Sequence, residues 1–189
     1  QDIYNKAAWT GTAESETPTS QGGGKEGVIG MAFDNSSSTH WHSDWSQATK
    51  DKVPTSAGAA GTGKGADGSI WAEVKFDKGY EINQVLFAPR QDTNSGQVTK
   101  ASLYIQTEKD GKWVEVAKDK TFAADKSEKA FTFDKQMVYG FKFVATQSND
   151  GWVTVSEFNI ADKKVTDKIY TVYVEAETGG KVSGGKDVS

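Results

Sequence analysis

Short segments in which apolar and polar residues alternate constrain the fold of this chain most strongly. In SIWAEVKFD (69–77) every second side chain is apolar, a period of two that is typical of a strand with one buried face. Similar segments recur along the chain at 80–90, 100–118, 129–147 and 152–160. We predict a strand in 69–77, a second after the Lys78-Gly79 turn, a hairpin around Asp110-Gly111 and two strands in 129–147. Short strands at this spacing predict a β-sandwich.

The composition supports an all-β fold and excludes several functions. Leucine occurs only at Leu86 and Leu103, and there is no cysteine, which excludes disulfides, thiolate zinc sites and cysteine nucleophiles. The net charge is −4 without a basic stripe, so we expect no nucleic-acid partner. No apolar run approaches the ~18 residues of a membrane span, so we expect no membrane insertion.

The chain divides by composition into one large unit and a short tail. We predict a domain over 1–161, a charged linker over 162–168, and over 169–189 the start of a following module or a disordered tail. The Gly/Ala/Ser-rich segment 55–69 predicts a mobile surface loop. Because the chain begins at Gln1 rather than methionine, we expect it to be a piece of a longer protein.

One segment fits neither the two-residue period of a strand nor the 3.6-residue period of a helix. AFDNSSSTHWHSDWS (32–46) contains both histidines and two of the six tryptophans, beside a run of small hydroxyl side chains. We interpret it as an ordered loop. Trp41 and Trp45 are predicted to pack in the core or loop, and His40 is predicted to be exposed.

Four segments together resemble a known family. WTGTAESE (9–16), AFDNSSSTHWHSDWS (32–46), APRQDTNSG (88–96) and GWVTVSEFNI (151–160) occur in the order found in discoidin-type domains, also called factor V/VIII C-type domains. The chain is most similar to the galactose-binding, family-32 carbohydrate-binding modules of bacterial glycoside hydrolases and adhesins. The resemblance covers about 4–161. It implies an all-β, galactose-binding-domain-like jelly roll with a shallow sugar site formed by loops at one end.

The resemblance also implies the ligand-binding residues His42, Arg90, Asn94 and Trp152. Arginine offers a rigid fork of donors, and asparagine both donates and accepts. Histidine suits a single axial hydroxyl, and the flat indole suits the apolar C–H face of galactose. Taken singly, Arg90 could instead form a surface ion pair, and Trp152 could belong to the core.

A structural calcium ion is the expected cofactor. Its ligands, implied by the resemblance, are Met31 and Ser36 through their carbonyls, and Asp34, Thr39 and Glu157 through their side chains. Calcium prefers six to eight oxygen ligands, which a non-helical loop can supply. Asn35 and Ser36 replace the usual glycine and asparagine, and asparagine tolerates a positive φ. The alternative is that Asp34 only caps a turn.

These observations predict a non-catalytic module rather than an enzyme. We find no paired carboxylates in an aromatic cleft, no Ser-His-Asp set, no phosphate loop and no paired-histidine zinc motif. The expected partners are glycans ending in galactose or N-acetylgalactosamine. We expect a monomeric unit of a multi-domain secreted or bacterial cell-surface glycosidase or adhesin. The alternatives are a discoidin-type module that binds protein or lipid, and a structural spacer.

Overall fold

The structure is a computed structural model that describes residues 4–46, 48 and 50–164. The end of the predicted linker and the whole segment 169–189 lie outside the described residues, as do residues 1–3 of the predicted domain. Nine strands are described, together with one short helix, α1 (Thr19–Gly22), and three 3₁₀ turns, Lys6–Ala8, Ile29–Ala32 and Ala66–Gly68. The strands are β1 (Thr10–Ala13), β2 (Glu26–Gly27), β3 (His40–His42), β4 (Ile70–Ala88), β5 (Val98–Gln106), β6 (Val114–Thr121), β7 (Lys129–Ser148), β8 (Thr154–Val155) and β9 (Glu157–Ala161).

The strands form two sheets and confirm the predicted all-β class. Six strands form an antiparallel sheet in the order β1-β4-β7-β5-β6, with β9 also paired to β4. The smaller sheet has the order β2-β3-β8, with β2 parallel to β3 and β3 antiparallel to β8.

The prediction of separate strands in 69–90 and in 129–147 was wrong. Each region is one long strand, β4 of 19 residues and β7 of 20 residues. The register between them shifts between Lys75 and Tyr80 and again between Ile82 and Gln84. Bulges of this kind bend a strand without ending it. The Lys78-Gly79 turn signal therefore marks a bend within β4.

The core lies on the inner faces of the bent strands. Ile70, Ala72 and Val74 are fully buried, as their alternation predicts. A cluster of phenylalanine rings fills the centre of the core: Phe87 and Phe143 have ring centroids 5.0 Å apart, and Phe143 and Phe158 have centroids 5.3 Å apart. Aromatic pairs at this separation add to the stabilisation from burial.

The segment 55–69 lies at the surface, and part of its backbone is hydrogen-bonded to the rest of the domain. The backbone N–H groups of Thr62 and Gly63 donate to the carbonyl of Lys52 at 2.6 and 2.8 Å. A Cβ added at Gly61 would lie 2.5 Å from the Pro54 ring, so only glycine permits this close approach. The glycines thus allow the loop to pack against the domain. Across the described part of the chain, no helix has the length and apolar character needed to cross a membrane.

Trp41 is predicted to be a major contributor to stability. Its side chain is fully buried and its indole N–H donates to the Ser15 carbonyl at 2.8 Å. We expect Trp41→Ala to lower the free energy of unfolding by about 3–5 kcal/mol, measured by urea denaturation. The control is Met137→Ala, because Met137 is 46% exposed and its loss should change stability by about 0.5 kcal/mol or less. A Trp41→Ala protein as stable as this control would contradict the prediction.

Candidate functional site

The small sheet brings two distant loops together. Trp41 pairs with Val155 and His42 pairs with Thr154. Just beyond these pairs, the Ser43 N–H donates to the Val153 carbonyl at 2.9 Å and the Val153 N–H donates to Ser43 Oγ at 3.1 Å. The segment after β3 is therefore fixed beside the loop that carries Trp152.

A shallow cavity of about 290 Å³ lies where these loops meet. This volume is close to the lower end of the ~300–1,000 Å³ typical of small-molecule sites. We call it the loop pocket; its lining residues are Glu26, His42, Trp45, Lys50, Arg90, Ser95 and Trp152. Three of the four predicted ligand-binding residues are thus together: His42, Arg90 and Trp152. Asn94 is exposed and lies outside the lining, where its backbone carbonyl accepts from Asn149 Nδ2 at 2.6 Å.

His42 is held in one defined state. Its Nδ1 lies 2.7 Å from the Ser43 carbonyl oxygen, and since a carbonyl can only accept, Nδ1 carries the hydrogen. Burial lowers the pKa of the imidazole below its usual value, which favours the neutral ring. The Nε2 atom of that neutral ring is a hydrogen-bond acceptor, suited to a ligand hydroxyl.

Arg90 is held by a carboxylate. Its Nε and Nη2 donate to the two oxygens of Asp92 at 2.7 and 3.0 Å, and Nη2 lies 3.5 Å from Glu26 Oε1. The bond from Arg90 holds the pKa of Asp92 well below its usual range, and the bond to Asp92 raises the pKa of Arg90. The ion pair considered as an alternative for Arg90 therefore exists, and it orients the guanidinium at the loop pocket.

Trp152 forms one wall of the loop pocket. Its ring centroid lies 5.5 Å from that of His42, and Lys52 Nζ lies 4.7 Å from the indole centroid. Asp150 accepts the backbone N–H of Trp152 at 3.1 Å, the Gly96 N–H at 3.1 Å and the Ser95 hydroxyl at 2.7 Å. Gly96 has φ +74°, and a Cβ there would lie 2.4 Å from the Thr154 side chain, so glycine is required. One carboxylate thus joins the two loops on this side.

The sequence interpretation missed several residues at the loop pocket. Trp45, predicted to pack in the core or loop, lines the cavity, and its indole N–H donates to Glu26. Glu26 belongs to β2, where it is paired with His40 of the parallel strand β3. No local pattern around Glu26 or Lys50 marks them in the sequence. Ser95, by contrast, adjoins the predicted Asn94.

The prediction that His40 is exposed was wrong. Its side chain is 5% exposed, and its Nε2 lies 3.5 Å from Glu26 Oε1. Burial, assisted by the nearby Arg90 charge, lowers the pKa of His40 to about 4. His40 is therefore a neutral packing residue behind the loop pocket at neutral pH.

The predicted calcium ligands lie at a different junction, where the loop 34–39 meets β9. Asp34 accepts the Ser36 N–H at 3.1 Å and the Thr39 hydroxyl. The Asn35 N–H donates to Glu157 Oε2 at 3.1 Å, and Asn35 has φ +61°, as its substitution for glycine predicts. Met31 lies half-buried in the 3₁₀ turn Ile29–Ala32. The early loop and the last strand are therefore in contact.

A lysine approaches the same carboxylate. Lys6 Nζ donates to Glu157 Oε2 at 2.7 Å and to Asn159 Oδ1, and the Lys6 side chain is only 3% exposed. Burial raises the pKa of Glu157 although Lys6 opposes that rise. Glu157 Oε1 is buried and has no hydrogen-bond partner among the described residues. An unpartnered buried carboxylate oxygen beside Asp34 fits a hard cation.

Comparisons with known proteins agree with this architecture. The F5/8 type C domain family matches residues 10–158. The chain is 27% identical over 139 residues to an A type blood N-acetyl-α-D-galactosamine deacetylase from Flavonifractor plautii. That match covers 74% of this chain but only 16% of the deacetylase.

Solved structures share the fold and confirm the predicted β-sandwich. CpGH89CBM32-5 from Clostridium perfringens, in complex with GalNAc-β-1,3-galactose, has a TM-score of 0.67 at 22% identity, covering 82% of this chain and 96% of that one. The family 32 module of NanJ from the same organism, in complex with galactose, has a TM-score of 0.62 at 22% identity, covering 82% and 94%.

The buried His40 predicts a pH-dependent stability. Its pKa is about 4 in the folded protein and ~6.5 when exposed, so the unfolded chain binds more protons between these values. Stability should therefore be complete above pH ~6.5 and fall as the pH drops toward 4, by roughly 3 kcal/mol from this group. We expect His40→Gln to reduce this slope in urea denaturation at a series of pH values. An identical slope in the variant and the wild type would show that His40 does not titrate in this range.

Proposed function

Because the chain belongs to the F5/8 type C domain family, we propose that it is a non-catalytic module that binds terminal galactose or N-acetylgalactosamine. The observation that carries this proposal is the convergence of His42, Arg90 and Trp152 on one cavity from three separate segments. The sugars in the complexes of its structural relatives, GalNAc-β-1,3-galactose and galactose, support the same ligand class.

The chemistry of the loop pocket suits a sugar with an axial hydroxyl. His42 Nε2 accepts, and the N–H groups of Arg90 not bonded to Asp92 donate, so both can serve one hydroxyl. Trp152 offers an indole face to the C–H side of the ring. Glucose, whose O4 is equatorial, would leave the donor and acceptor unpaired, which a site based on hydrogen bonds penalises.

A lipid-binding role is the alternative within the family, and the surface disfavours it. Such a role needs apolar side chains exposed at the loop end. Among the described residues, the exposed large hydrophobic side chain is Met137, which lies within β7 and not at the loop pocket. The other alternative is an adhesion module that binds a protein. Such a module would show no sugar binding in the titration described below.

The module is proposed to work as part of a larger protein. The deacetylase relative contains a stretch similar to this chain within a much longer sequence. Weak sugar binding by one module would direct an attached glycosidase or adhesin to its glycan, and repeated modules would raise avidity. We propose a secreted or bacterial cell-surface location and a monomeric module, since glycans of this kind lie outside the cell.

We further propose a structural calcium ion held by Asp34, Thr39 and Glu157, with the carbonyls of Met31 and Ser36. The unpartnered Glu157 Oε1 supports this proposal. When bound, the ion would supply positive charge between two carboxylates and join the early loop to β9. Lys6 already places one positive charge on Glu157. It should therefore weaken calcium binding and stabilise the metal-free protein.

Titration calorimetry with galactose, lactose and glucose tests the sugar site. A monosaccharide of about a dozen heavy atoms at roughly −0.3 kcal/mol per atom gives about −4 kcal/mol, a Kd near millimolar. We expect Trp152→Ala and Arg90→Ala each to abolish measurable galactose binding with the fold retained. Met137→Ala is the control and should bind normally. Equal affinities for glucose and galactose would refute the role of the axial hydroxyl.

Thermal unfolding with calcium and with a chelator tests the cation site. Calcium that binds only the folded protein adds about 4 kcal/mol at a thousandfold excess over Kd, so chelation should lower the Tm. Asp34→Ala should lower the Tm similarly and remove the response to calcium. Lys6→Met should tighten calcium binding and lower the Tm in chelator. A Tm unaffected by chelator, with no metal found by elemental analysis, would leave Asp34 as only a turn cap.

A further inference from the structure

A second group of aromatic residues lies on the outer face of the large sheet. Side chains alternate along β4, so Ala72 and Val74 face the core whereas Trp71 and Glu73 face outward. Trp71 lines a groove, which we call the aromatic groove. Its other lining residues are Tyr104, Trp113, Lys142 and Val144 from neighbouring strands and loops, and Gly65, Ala66 and Ser69 from the glycine-rich loop 55–69. None of these residues lines the loop pocket.

The strand register places the three rings around Lys142 and Val144 of the central strand β7. Trp71 of β4 pairs with Val144 of β7, and Tyr104 of β5 pairs with Lys142 of β7. Trp113 directly precedes Val114, the first residue of β6, which pairs with Ile105 of β5. All three rings are partly exposed. They belong neither to the buried core nor to the partly buried side chains that pack against it.

Core packing therefore does not account for three large aromatic residues in one place. Ligand sites are concave and lined by aromatic and apolar side chains with a few polar groups, and a groove lined by three partly exposed rings has this character. The glycine-rich loop contributes one edge of the groove and is itself fixed by hydrogen bonds to Lys52.

The charges at the groove indicate the class of ligand. Lys142 Nζ lies 4.9 Å from the Trp71 ring centroid and 3.7 Å from Glu73 Oε2, and these two charged side chains are 26% and 25% exposed. A flat apolar partner would remove water from this ion pair without replacing its hydrogen bonds, which is unfavourable. A sugar ring has a C–H face for the aromatic rings and a rim of hydroxyls for the ammonium of Lys142, which lines the groove.

We propose that the aromatic groove is a second carbohydrate-binding site, which takes an internal stretch of an oligosaccharide. Three rings from separate segments of the chain can contact more than one sugar unit, and a site on a sheet face does not require a chain end. This site is independent of the proposed terminal-sugar site, since the two share no residue.

The test uses nuclear magnetic resonance of the whole chain labelled with ¹⁵N. The indole N–H signals of Trp71 and Trp113 are followed in a Trp152→Ala background, which removes the loop pocket. The probes are linear β-1,4-linked tetrasaccharides of galactose, glucose, xylose and N-acetylglucosamine, up to about 10 mM. We expect saturable shifts of both signals with at least one tetrasaccharide, and much smaller shifts with its monosaccharide.

Variants of the groove separate this site from the loop pocket. In the Trp152→Ala background, Trp113→Ala and Tyr104→Ala should each weaken tetrasaccharide binding about tenfold or more, with the backbone spectrum retained. In the chain that keeps Trp152, the same two substitutions should leave galactose binding unchanged. Unchanged affinity in both variants, or no shift with any tetrasaccharide, would overturn the proposal without affecting the galactose site. The indole signals could instead shift with protein concentration alone, and sedimentation could show a dimer that Trp113→Ala removes. These two results together would overturn the proposal and show that the groove is a self-association surface.

Discussion

The pairing of β3 with β8 is the contact on which the arrangement of the loops depends. It involves only Trp41 with Val155 and His42 with Thr154, yet it joins segments more than a hundred residues apart in the sequence. Thr154 Oγ1 also donates to the Gly96 carbonyl at 3.0 Å and accepts the Arg90 N–H at 3.1 Å. Trp41 is buried beneath this pairing and His42 lies at its end. This pairing and the Thr154 hydroxyl therefore hold together the three segments that carry His42, Arg90 and Trp152.

The carboxylate of Glu26 behind the loop pocket is partnered by Arg90 and Trp45. Glu26 lies 3.5 Å from Arg90 Nη2 and 3.5 Å from His40 Nε2, and it accepts the indole N–H of Trp45. Charged groups removed from water are tolerated when they are paired and hydrogen-bonded. His40 carries no charge at neutral pH, because burial lowers its pKa to about 4, so it adds no buried charge behind the loop pocket.

Periodicity and family resemblance predicted much of this protein, and their failures have physical causes. The alternation of Ile70, Ala72 and Val74 predicted the buried face because side chains on a strand alternate by geometry. The bend in β4 was not predicted, because Lys78-Gly79 has the same local chemistry in a turn and in a bulge. Glu26 and the burial of His40 depend on a parallel pairing between short strands that carries no local signal. Asn94 shows a further limit, since a motif fixes the loop but not which side chain of that loop faces the cavity.

The bidentate contact between Arg90 and Asp92 has a consequence for the thermodynamics of recognition. A free arginine side chain carries roughly 2 kcal/mol of rotamer entropy, which is lost when a ligand immobilises it. In this protein the guanidinium is fixed by an acceptor only two residues along the chain, so that entropy is lost during folding. An incoming hydroxyl meets a donor that is already oriented. Ordering this side chain therefore lowers the stability of the folded domain. In return, less side-chain entropy is lost when Arg90 binds a ligand.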